Sequence, residues 1–154
     1  MIAPLQLLDY RSELLTYERL DPEPIPDDVD AGVGVGIELE TTFDKERNAR
    51  CVHLTVAFNA DDELPETMRP YVMHRGRLRV TGWLTWIDEE VAARDDAERL
   101  LLVNGLSMLF GIARVRISDL TSTSSRRLVL PSITFKPIVE EFLRGDREST
   151  SEPS

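Results

Sequence analysis

Two histidines and one cysteine are the whole supply of imidazole and thiol in this 154-residue chain. His53 falls on the polar parity of an alternating stretch and His74 precedes an arginine-rich one, with no Ser, Cys or acid at a recognisable catalytic spacing from either. They read as solvated surface groups. Cys51 has no more support as a nucleophile, and a lone cysteine makes neither an intrachain disulfide nor a metal-binding pair. The run Gly32-Val-Gly-Val-Gly36 looks like a phosphate loop until its surroundings are read: it alternates as a strand does, no helix follows, and the Lys-Ser/Thr that would meet a phosphate is missing. These glycines fit a flat or bent piece of sheet that another backbone approaches. Acids are abundant, yet none cluster at metal-loop spacing. No catalytic residue, metal site or cofactor is therefore assigned, and an enzyme is weakly supported.

Eighteen basic residues stand against 28 acidic ones, a net charge of −10 that repels a phosphate backbone and keeps the chain soluble. Nucleic acid is not an expected partner. An acidic surface suits steering towards basic, unfolded chains, although solubility alone explains it as well. The start MIAPLQLLDYRSELL lacks a basic region followed by an apolar one, and there is no uninterrupted apolar run of about 18 residues, so neither a signal nor a membrane insertion is expected. The expected location is the cytoplasm.

The elements that must position any site follow from periodicity. Leu5 to Arg19 alternates loosely, with Leu8, Tyr10 and Leu14 on one parity and Leu7, Leu15 and Tyr17 on the other, which predicts a strand partly buried on both sides. Leu20 to Asp30 packs three prolines and five acids into a crossover loop. Gly32 to Phe43 and Arg50 to Phe58 alternate strictly about a polar turn and predict a hairpin. Asn59 to Glu66 is a polar break, and a fourth strand runs from about Arg75 to Ile87, with Trp83 and Trp86 on opposite faces. From Asp95 to Leu120 the period changes: Leu100, Val103, Leu106, Leu109, Phe110, Ala113, Ile117 and Leu120 recur at three and four. Asn104-Gly105 offers a place to kink this helix. A last helix opens at Lys136-Pro137 and runs to about Arg144. One domain over residues 1–144 and a mobile tail over 145–154 are expected. The predicted fold is α+β, a four-stranded antiparallel sheet with a long and a short helix on one face. Leu101, Leu102, Met108 and Ile112 widen the apolar face of the long helix beyond what one sheet needs, so an oligomer is expected, with Met108 and Ile112 at its interface.

Residues Ser107 to Leu143 read SMLFGIARVRISDLTSTSSRRLVLPSITFKPIVEEFL. In Leu109-Phe110, Ala113-Arg114 and Ile117 on the helix, then Leu128, Leu130, Ile133, Phe135 and Phe142-Leu143, this stretch resembles the C-terminal half of the SecB export chaperones. The family's Pro-Tyr within the helix is Gly111-Ile112 here, its next Glu is Val115, and its loop proline sits one place earlier, as Pro131. The resemblance implies a SecB-like dimer of dimers with the long helices at its centre; no use of ATP is expected, because the sequence has no phosphate-binding loop. The resemblance also implies a groove for unfolded or precursor polypeptides where the crossover loop lies against the last helix, lined by Leu20, Ile25, Val33, Val35, Leu128, Leu130, Ile133 and Phe142. Where the family carries an acid that docks the translocase ATPase, this chain has Val72, Arg75, Arg77 and Arg79. Docking to that ATPase is not expected. Three functions remain open: a general holdase, a dedicated partner of one client such as an antitoxin, and a structural oligomer or enzyme on the same fold.

Overall fold

The computed structural model describes residues 5–30 and 32–151. Four strands, β1 (Leu5–Arg19), β2 (Val35–Asp44), β3 (Ala49–Phe58) and β4 (His74–Trp86), form one antiparallel sheet in the order β1-β4-β3-β2. Strict alternation decides which face is apolar. Val52, Leu54, Val56 and Phe58 of β3 and Leu78, Val80 and Leu84 of β4 are sealed on one side. Helix α2 (Ala97–Leu120) covers them with Leu102, Leu106, Leu109, Phe110, Ala113 and Ile117, and α3 (Lys136–Ser151) adds Val139. Each of these side chains other than Ala113 contributes roughly 1.5–3 kcal/mol by leaving water. The α+β arrangement with both long helices on one face is the expected one.

Several elements differ from the expectation in instructive ways. β1 is not buried on two sides. It shifts register against β4 after Leu7 and after Leu14, so that Leu7, Tyr10, Ser12, Leu14 and Tyr17 face Leu84, Gly82, Val80, Leu78 and Gly76 in turn and share the helix side. Each extra residue at such a bulge resets the parity. The polar break before β4 contains a 3-10 turn, Glu66–Tyr71, and a one-turn helix α1 (Glu89–Ala92) precedes α2. Helix α2 runs unbroken through Asn104-Gly105, because the bare face of Gly105 is where the Leu84 side chain packs. Its buried stripe is centred on Leu101, Leu102 and Leu106, leaving Leu100 and Val103 half-buried and Leu120 exposed. By length and hydropathy α2 could also cross a membrane, a property that a count of uninterrupted apolar residues misses; here 44% of the relevant window is buried inside the domain. Helix α3 continues past Arg144 to Ser151, since low apolar content argues against burial and not against helix. The rest of the expected mobile tail, residues 152–154, lies outside the described residues.

Glycines mark two close approaches. The carbonyl oxygen of Glu63 would sit 2.6 Å from a Cβ on Gly34, so another backbone does pass over that stretch. A Cβ on Gly76 would meet the carbonyl oxygen of Thr16 on β1 and, at 2.8 Å, the ring of Phe58. Backbone cannot swing aside as a side-chain end can. Gly76→Ala is therefore expected to cost about 1–3 kcal/mol in urea denaturation.

Candidate functional site

The segment after α2 is extended but belongs to no sheet. Thr121 closes the helix by donating its hydroxyl to the Ile117 carbonyl (3.0 Å), and the same oxygen accepts the buried N–H of Leu128 at 2.8 Å. Arg114 donates Nε–H to the Leu130 carbonyl (3.2 Å), and Arg127 donates to Ser118 Oγ (2.7 Å). The chain is thereby laid back along the last turns of α2. Leu128 and Leu130 turn inward, Leu130 to 1% exposure, while Val129 between them is 61% exposed. From Arg127 to Thr134 no backbone group bonds another backbone group among the described residues.

The crossover segment is held beside the 3-10 turn. Its three prolines withhold donors, and what remains is tied by Leu20 N–H to the Met73 carbonyl (2.7 Å) and Glu23 N–H to the Pro70 carbonyl (2.9 Å). Arg126 joins this layer to the extended segment, donating to the carbonyls of Tyr71 (2.9 Å) and Glu23 (3.1 Å). Nothing in the sequence pattern marked Arg126 for this task; its partners lie 55 and 103 residues away.

The expected groove residues divide into three groups. Val33, Val35, Ile133 and Phe142 are half-buried and pack on one core that also holds Phe135 and Val139. Leu128 and Leu130 belong to that core itself and present little surface. Leu20 is half-buried beside Met73, and Ile25 is exposed on the crossover segment, outside the cluster. Of the expected interface pair, Met108 is exposed on the outer side of α2, and Ile112 is partly buried against the core.

The histidines are not the solvated surface groups expected. His74 is 2% exposed, its ring stacked on Tyr17 and its carbonyl accepting from Asn59 Nδ2 at 2.9 Å. Ser124 Oγ donates to the Thr121 carbonyl (2.8 Å), so it accepts from His74 Nε2–H (2.8 Å), and Nδ1 accepts from the Tyr17 hydroxyl (2.7 Å). A serine and a histidine thus meet, but the second ring nitrogen faces a phenol in place of the carboxylate that would stabilise an imidazolium. Burial, helped by the Arg19 guanidinium, pushes the His74 pKa below its ordinary 6.5. The folded state consequently prefers neutral His74. Its contribution is complete above pH 6.5 and is lost as pH falls through the folded pKa. Stability by urea denaturation is expected to drop between pH 7 and 5, and His74→Gln to flatten that slope.

The other side of the sheet is polar. Cys51 Sγ lies 3.6 Å from His53 Nε2, whose Nδ1 meets Thr81 Oγ1 at 2.8 Å. Burial pushes the Cys51 thiol up, the opposite of what an attacking thiolate needs. Trp83 finds its cover here under the guanidinium groups of Arg47 and Arg11, 4.2 and 5.2 Å from the ring centroid, and donates Nε1–H to Asp44 (3.1 Å). Two of the three β4 arginines are neutralised in place. Arg75 pairs with Glu18 (2.7 Å) and Asp61 (3.0 Å), Arg77 pairs with Glu38 (3.0 Å), and Arg79 reaches only Thr55 Oγ1.

No family model and no curated protein matches the chain. Among solved structures it is similar to a SecB-like chaperone from Mycobacterium tuberculosis, in complex with a ChAD peptide from the HigA1 antitoxin. The identity is 16% and the TM-score 0.49, over 84% of this chain and 91% of that one.

Proposed function

We propose that this protein is an ATP-independent holdase that keeps unfolded polypeptides from aggregating by binding their exposed apolar stretches. The observation that carries the reading is the segment from Arg127 to Thr134, extended, held by side chains at Leu128 and Leu130, and without a backbone partner among the described residues. Ile133 within it and Val33, Val35 and Phe142 elsewhere are half-buried against the same core. A client strand laid there gains backbone hydrogen bonds whatever its sequence, and the apolar surface takes its alternate side chains. The resemblance of Ser107 to Leu143 to the SecB export chaperones supports the same reading. The working form is a dimer or dimer of dimers in the cytoplasm. Met108 and Val115 are exposed on the outer side of α2, and a second copy would cover them together with Ile112.

Arg79 of β4, which has no acidic partner among the described residues, favours a chaperone not committed to general export. It occupies the face on which the resemblance expects acids to meet the translocase ATPase, and like charges across an interface cost affinity and slow encounter. It thereby favours a dedicated partner of a single client as the second reading. The test is suppression of aggregation of a reduced, unfolded model protein in the absence of nucleotide. The wild type is expected to suppress it, and Val33→Ser with Ile133→Ser to weaken the effect at unchanged circular dichroism. No suppression by the wild type, or equal suppression by the double variant, would sink the groove reading. Polypeptides recovered with the native protein then separate many clients from one.

A further inference from the structure

At the C-terminal end of β4, the sheet, the β2–β3 turn and the first turns of the helical layer form an open cleft of about 460 Å³. Its floor is core, Leu84 and Leu101. Its walls are Phe43, Trp86 and Ile87, of which Phe43 is 53% and Ile87 46% exposed. Two large apolar side chains thus stand open at one mouth, and the volume lies within the roughly 300–1,000 Å³ range of ligand sites.

The charges around this mouth are unequal. Glu89 and Glu98 line it, and Asp88 and Glu90 flank Glu89. Arg50 is the one cation in the lining, and its guanidinium is already held by Glu98 at 3.0 Å. An entering group therefore meets apolar walls with surplus negative charge at the rim. Phosphates and carboxylates are repelled, whereas a cation gains from the acids and from the exposed ring of Phe43.

We infer that this corner is a second docking site, for an aromatic or large aliphatic side chain flanked by lysine or arginine on another polypeptide. The apolar side chain fills the cleft against Trp86 and Ile87, and its basic neighbours lie over Glu89 and Glu98. The inference does not rest on the groove, with whose expected residues this lining shares none.

The experiment uses the full chain and a short labelled peptide with one photoreactive phenylalanine between lysines. Anisotropy measures its affinity, and photo-cross-linking locates it. Binding should weaken by about fivefold or more in Ile87→Ser and in Glu89→Lys, and on raising salt from ~0.05 to ~0.5 M. Cross-links should fall on Phe43, Trp86 or Ile87. A peptide with glutamates in place of lysines binding equally well, or affinity unchanged in both variants, would overturn the assignment. Cross-links confined to residues 20–35 or 127–143 would also overturn it, while leaving the groove reading in place.

Discussion

Leu130→Ser is expected to destabilise the domain by about 3–5 kcal/mol, close to the whole stability of a marginal domain. The side chain is sealed among core residues, so its removal leaves a cavity and places a hydroxyl where no partner waits. The adjoining Val129→Ser should move stability by no more than about 0.5 kcal/mol, since that side chain already stands in water. Urea denaturation followed by circular dichroism checks the pair. Equal, small effects would mean that Leu130 faces an open groove in solution.

Arg126→Ala is expected to cost about 1.5–3 kcal/mol, because two hydrogen bonds from a charged donor are lost and the carbonyls of Tyr71 and Glu23 lose their partner. Its larger effect should be local. The Leu20 and Glu23 amides, bonded to Met73 and Pro70, should exchange hydrogen markedly faster once the crossover segment is no longer held to the extended one. Arg126→Lys should not restore protection, since one ammonium cannot span two carbonyls as the planar fork does. Unchanged exchange in both variants would show that the prolines alone hold the segment.

How far such a site could be read in advance depended on the range of the interactions. β2, β3 and α2 were legible because their burial follows a period, and Gly34 before β2 was legible because the Glu63 backbone passes close over it. β1 defeated the same argument: the residues inserted after Leu7 and Leu14 shift its parity twice, and a shifted alternation looks like burial on both faces. Alternation also separates Leu128 and Leu130 from Val129, but it cannot say which side is core in a segment without a neighbouring strand. The resemblance therefore suggested all the inward leucines as lining, and the structure seals them. The setting of His74 was invisible for a simpler reason, as its partners Tyr17 and Ser124 lie 57 and 50 residues away.

The strand order β1-β4-β3-β2 has a consequence for how the chain comes into being. β2 and β3 meet across a short turn and can pair within microseconds of being made. β1 is made first, yet its partner follows much later, with 57 residues between Tyr17 and His74. At ordinary synthesis rates of ~5–20 residues per second the wait is about 3–11 s. Throughout it Leu7, Tyr10, Leu14 and Tyr17 have no sheet to join. A nascent copy is then itself the kind of unpaired, apolar strand that the finished protein is proposed to guard.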